Sequence, residues 1–138
     1  MSSRRKFIRN SMMAGVALSA GIPSFVTAGT RRWPSARPPV RKRKFRSKAV
    51  EETIREIESF LGSDNELAWL FSNCFPNTLD TTVTFSEKEG RPDTFVITGD
   101  IHAMWLRDSS AQVWPYVPLA PRDPQLKALI AGVINRQV

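Results

Sequence analysis

The first 50 residues of this 138-residue chain hold 13 lysines and arginines and no acidic side chain, whereas residues 51–138 hold 7 basic and 13 acidic ones. A segment of one sign repels itself, so the split divides the chain into a cationic leader and a part able to fold. The formal net charge of +7 belongs to the leader; the remainder carries 7 − 13 = −6. An anionic body repels phosphate, which argues against a nucleic-acid-binding domain there. The length allows one small domain. One cysteine excludes an intrachain disulfide, and one histidine leaves a metal centre without its usual ligands.

Within the leader, Arg4-Arg5-Lys6-Phe7-Ile8-Arg9 precedes a weakly apolar run from Met12 to Ala20, interrupted by Gly15 and followed by Gly21 and Pro23. Val26-Thr27-Ala28 then offers compact residues at the −3 and −1 positions of a cleavage site. This is the three-part plan of an export signal. Its paired arginines and modest hydrophobicity resemble a twin-arginine translocation signal over residues 1–28. That implies a partner in the twin-arginine export machinery, and a folded product outside the cytoplasm, periplasmic or extracellular, beginning near Gly29. The run is too short and too rich in glycine and serine to span a bilayer, so no integral membrane segment is expected in the mature chain.

Residues 29–46 are basic and carry Pro34, Pro38 and Pro39 with almost no apolar periodicity. Proline fixes φ and removes a donor, which predicts an extended, solvated linker. Its charge leaves open a second use, as a tether to anionic lipid or polysaccharide.

Helical periodicity begins after Ser47, a good N-cap. Val50, Ile54, Ile57, Phe60 and Leu61 form one stripe, and Gly62 supplies the stop. Ser63-Asp64-Asn65-Glu66 has capping-box form and opens a second helix, with Leu67, Leu70, Phe71 and Cys74 as its apolar face. Cys74 reads most simply as a small buried hydrophobe. Thr81–Phe85 and Thr94–Thr98 alternate and are β-branched, which predicts a hairpin across the polar turn 87–93. Asp123-Pro124 caps a last helix with Leu126, Leu129, Ile130, Val133 and Ile134 on one face. That helix meets no stop signal before Val138, so a truncated chain, marginally stable by itself, is the expectation.

Chemistry concentrates in residues 98–116. Asp100, Arg107, Asp108, Ser109 and Gln112 stand among Met104, Trp105, Leu106 and Trp114. Apolar ring faces beside converging hydrogen-bonding groups suit a sugar, whose C–H face packs on indole while its hydroxyls pair with carboxylate and guanidinium. Asp108-Ser109-Ser110 also has the form of a helix start. The structural alternative is that Asp108 only caps, Arg107 pairs with Asp100, and both tryptophans are core.

The stretch Asn73-Cys74-Phe75-Pro76-Asn77-Thr78-Leu79-Asp80-Thr81-Thr82, with Thr98-Gly99-Asp100-Ile101 and Ala103-Met104-Trp105-Leu106-Arg107-Asp108-Ser109, resembles glycoside hydrolase family 125. The resemblance covers roughly residues 47–138. It implies a metal-independent exo-α-1,6-mannosidase of the inverting type, needing no cofactor, with a mannose-containing glycan as substrate. The implied fold is mainly α, the incomplete N-terminal part of an (α/α)6 barrel with a short β-hairpin insertion. By the same resemblance Arg107 and Asp108 hold the terminal mannose, and Asp100, Trp105 and Gln112 line the pocket. Asp80 either supports that pocket or caps a turn. His102 stands where the family motif is expected to carry proline, as a surface residue or an added hydrogen-bond group.

An inverting glycosidase needs two carboxyl groups roughly 6.5–9.5 Å apart. The family's general acid and base have no counterpart here and are expected beyond Val138, which predicts no hydrolysis by this chain. Two rival readings are a non-catalytic carbohydrate-binding module using the same tryptophan and Arg-Asp groups, and a nucleic-acid-binding protein working through residues 31–48.

Overall fold

In the computed structural model, which describes residues 33–138, each of the two long helices starts where a side-chain oxygen replaces a missing backbone partner. The expected signal at 1–28 lies outside the described residues. Helix α1 (Lys48–Leu61) is capped by Ser47, whose Oγ accepts from the Val50 N–H. Gly62, at φ 88°, ends it in a conformation that favours glycine. Only the first two turns of the expected stripe are buried, through Ala49, Val50 and Ile54; Phe60 is 84% exposed.

Helix α2 (Glu66–Cys74) is capped by Asn65 rather than Ser63, with Asn65 Oδ1 accepting the Leu67 N–H at 2.8 Å. Its buried residue is Ala68, while Leu67 and Leu70 are exposed. Cys74 is likewise exposed, contrary to expectation. Small Ala68 makes the buried contact, and Phe71 of the expected face packs half-buried against the core.

A π-helical turn (Thr78–Thr82) leads into an antiparallel hairpin, β1 (Val83–Lys88) and β2 (Arg91–Val96). The strands begin and end differently from the expected ranges, for two local reasons. The Thr81 and Thr82 hydroxyls donate back to the Asn77 and Thr78 carbonyls, at 2.7 and 2.8 Å, which holds that segment helical. The turn is Glu89-Gly90, both at positive φ, the two-residue connection that matches strand twist. Val83 faces Val96 and Lys88 faces Arg91 in the resulting register.

Helix α3 (Leu106–Val113) continues into a 3-10 helix (Trp114–Arg122) containing Pro115, Pro118 and Pro121. Helix α4 (Pro124–Gln137) closes the described chain and packs against β2. Asp123 caps two helices at once. Its Oδ1 accepts the Gln125 and Leu126 N–H groups, both at 3.1 Å, while Oδ2 accepts the Ser47 hydroxyl at 2.6 Å and the Ala49 N–H at 3.4 Å. Burial pushes the Asp123 carboxyl up, but the Ser47 and backbone hydrogen bonds outweigh it and hold the group below its ordinary value.

The core joins Val50 and Ile54 of α1, Leu79, Val83, Val96, Val113, Tyr116 and the α4 residues Leu126, Leu129 and Val133. The Tyr116 hydroxyl donates to the Phe75 carbonyl, and burial pushes its pKa up to about 12. Gly132 lies against β2: a Cβ there would stand 2.9 Å from the Thr94 nitrogen and 3.0 Å from the Asp93 carbonyl carbon. The Thr94 hydroxyl donates to the Leu129 carbonyl at 2.8 Å. The described chain is thus mainly helical with one two-stranded sheet, as the sequence predicts.

Residues 33–46 depart from the expected solvated linker. They run as a strap along the fold, fixed at several points. The Trp69 indole N–H donates to the Pro34 carbonyl at 2.9 Å, and the Ala36 N–H donates to Asn73 Oδ1 at 2.6 Å. The Lys44 and Phe45 N–H groups donate to the Asp80 and Leu79 carbonyls, each at 3.0 Å. Arg37 reaches Glu51 at 2.6 Å and Asp80 at 2.7 Å, and Arg43 reaches Glu51 at 3.0 Å. Asp80 is 2% exposed, so this strap supplies the positive charge that a buried carboxylate requires. Proline content predicted the extended backbone; the partners, far away in sequence, left no periodic trace.

Candidate functional site

The turn from Trp105 to Ser109 is positioned by two buried side chains, Thr98 and Ser109, and by the half-buried Gln137. Thr98, 7% exposed, accepts the Trp105 N–H on its hydroxyl at 2.9 Å and donates that hydroxyl to the Ala103 carbonyl at 3.2 Å. Its own N–H donates to the same carbonyl at 3.0 Å, so one residue closes both ends of the loop 98–105. Ser109, fully buried, donates to the Trp105 carbonyl at 2.7 Å. The Gln137 amide, from the last turn of α4, donates to Ser109 Oγ at 2.8 Å and to Ser110 Oγ at 3.2 Å.

On this pinned turn the helix starts earlier than the sequence predicts. Trp105 occupies the N-cap position without a side-chain cap bond, and Asp108 lies inside the first turn. Asp108 is therefore not the cap, although its carboxylate still sits at the positive end of the helix dipole. Arg107 and Asp108 touch through a single ion pair at 3.4 Å, with side chains 91% and 44% exposed. Arg107 pairs with its neighbour rather than with Asp100. Trp105 is 56% exposed and Trp114 73%, so neither is a core residue.

Asp100 lies exposed in the preceding loop. Gln112 lies four residues after Asp108, on the same helix face. Its amide oxygen is buried and has no hydrogen-bond partner among the described residues. The structure therefore places Trp105, Arg107 and Asp108 on one turn, with Gln112 one turn further along, and gives no contact joining Asp100 to them. His102 is exposed, its ring 4.8 Å from that of Phe95. Asp80 is held by the strap arginines, a structural part rather than an open one. Sequence reasoning missed Thr98 and Gln137 as supports. Thr98 stood inside the motif, but Gln137 acts across 28 residues and has no local signature.

A free Arg-Asp pair beside an exposed indole can do what a sugar site requires. The guanidinium donates to hydroxyl oxygens, the carboxylate accepts from hydroxyl hydrogens, and the ring covers an apolar face. Among the described residues, no group of three His, Cys, Asp or Glu side chains is arranged to hold a metal ion. No helix among them is long and apolar enough to cross a membrane.

Residues 64–138 match the family described as metal-independent alpha-mannosidase (GH125). The chain is also 46% identical over 119 residues to the meiotically up-regulated gene 157 protein of Schizosaccharomyces pombe. That stretch is 86% of this chain and 23% of the yeast protein, so the chain spans less than a quarter of its relative's length. A stretch of 119 residues in 138 necessarily includes the strap, which lies outside the family match. With the family match spanning more than half of the sequence and containing the whole Trp105–Ser109 turn, the chain belongs to glycoside hydrolase family 125.

Proposed function

We propose that this chain is the sugar-orienting part of an α-mannosidase that removes terminal α-1,6-linked mannose with inversion. Arg107 and Asp108 take adjacent hydroxyls of the terminal mannose, Trp105 covers its apolar face, and Gln112 lines the pocket one turn further along. Asp100 contributes from the loop when sugar is bound. The helices are part of an (α/α)6 barrel, and the two proton-moving carboxyl groups belong to the rest of a longer protein. The basic leader directs export of the folded chain through the twin-arginine machinery.

What supports the reading is one observation above all: an ion pair that is exposed and singly made, on a turn that Thr98, Ser109 and Gln137 hold in place. A pair held for stability alone would not need a turn braced at three points. The test is ligand-detected NMR of the 138-residue chain with methyl α-mannoside. The expected result is weak saturable binding, lost in both Arg107→Ala and Asp108→Asn, and no turnover of α-1,6-mannobiose. Undiminished binding in both variants, or hydrolysis by the chain, overturns it.

A further inference from the structure

We propose that the outer edge of the strap is a docking surface for anionic phospholipid, distinct from the sugar-binding turn. Residues 43–47 alternate between the two sides of an extended segment, and Lys48 opens α1 directly after it. Arg43, Phe45 and Ser47 turn inward: Arg43 to Glu51, Phe45 to the core, and Ser47 to Asp123. Lys44, Arg46 and Lys48 point outward and are exposed. Arg41 and Lys42, on the preceding 3-10 turn, are exposed too, beside Val40, which is 49% exposed. Five cations thus form a ridge on one short stretch, with neighbours in the alternating part about 6.6 Å apart. The backbone hydrogen bonds from Lys44 and Phe45 hold that ridge in place. The nearby acids offset it little. Glu51 is committed to Arg37 and Arg43, and Glu52 meets Lys48 only at 3.8 Å in solvent.

Two features favour a lipid surface over a nucleic acid. Within residues 40–48 the one aromatic ring is Phe45, which packs against the core and edge-on to Phe85 rather than lying open for bases to stack on. A charged bilayer asks only for cations and a small apolar contact, which Val40 supplies. Position adds a third argument. Ser47 sits at the N-terminal end of α4 through Asp123, while Gln137, at the other end, holds the Trp105–Ser109 turn. A 14-residue helix is about 21 Å long. The ridge and the Arg107–Asp108 turn are thus tied to opposite ends of that helix.

The experiment is co-sedimentation of the full chain with vesicles of phosphatidylglycerol and phosphatidylcholine, or of phosphatidylcholine alone, across a salt series. One variant replaces Lys42, Lys44, Arg46 and Lys48 by glutamine. A second replaces Arg55, Arg91, Arg122 and Lys127, which are also exposed, and so has the same net charge. The parent is expected to bind only the anionic vesicles, more weakly as salt rises. The ridge variant should lose at least about tenfold in partition, and the matched control less than about twofold. Equal losses in the two variants, binding to neutral vesicles, or binding to inorganic polyphosphate without vesicle binding overturns the proposal. Undiminished binding of the ridge variant, with residues 1–32 sufficient, overturns it as well. The sugar-binding test above reads a different surface, so either proposal can fail alone.

Discussion

Among the described residues arginine meets carboxylate in three places, Arg136 with Asp93 being one, and the other two have opposite surroundings. Arg37 and Arg43 clasp Glu51 and Asp80 with several short contacts, Asp80 being 2% exposed. Arg107 and Asp108 share one contact at 3.4 Å in open solvent. In the first grouping charge is compensated inside the fold, so removing a partner strands another charge. In the second, water already satisfies both groups, and a ligand can displace it at little structural cost. The same residue types thus hold a strap in one place and stand free for a substrate in the other.

The largest expected effect comes from Asp80→Ala, which leaves two partly buried guanidinium groups short of a partner. Urea unfolding should show a loss of about 3–5 kcal/mol. A loss below about 1 kcal/mol would erase the contrast. Next, a double-mutant cycle should give Arg37 and Asp80 a coupling of about 1–3 kcal/mol. The corresponding cycle on Arg107 and Asp108 should give less than about 0.5 kcal/mol.

Acid should act on the clasped region. The hydrogen bond from Arg37 holds the Glu51 carboxyl below its ordinary 4.5, against the opposing effect of burial. The Arg37 guanidinium loses by burial, but hydrogen bonds to Glu51 and Asp80 more than restore it, and its pKa is raised. Glu51 and Asp123 both have depressed folded values, so their contribution is present at neutral pH and lost as pH falls through those values. Thermal melting should be steady from pH 7 down to about 4.5 and decline below it. Glu51→Gln should flatten that decline, and an unchanged slope would remove Glu51 from the account. The smallest stability effect belongs to Arg107→Ala, within about 0.5 kcal/mol. A larger loss would make that pair structural as well.

Local signals were the legible part of this fold. Ser47 and Asp123 cap as their positions predict, because a cap needs only its own next few residues. The hairpin was legible as an element but not in its limits, since threonines that suit a strand also bond back to helical carbonyls. The strap was read as solvated because its stability rests on Arg37 meeting Asp80 across 43 residues. The site was legible as a motif, through Trp105, Arg107 and Asp108. Its supports were not, because the Gln137 amide is brought to Ser109 only by the packing of α4.

Gly132 has a consequence for how this architecture can vary. Two of the three atoms that would meet a new methyl group belong to the main chain of β2, so trimming Thr94 cannot make room. No exchange at one neighbouring site compensates; helix and hairpin would have to part, breaking the threonine's bond to Leu129. The distance between those two layers is therefore a fixed gauge, and drift in this protein's lineage must proceed around it.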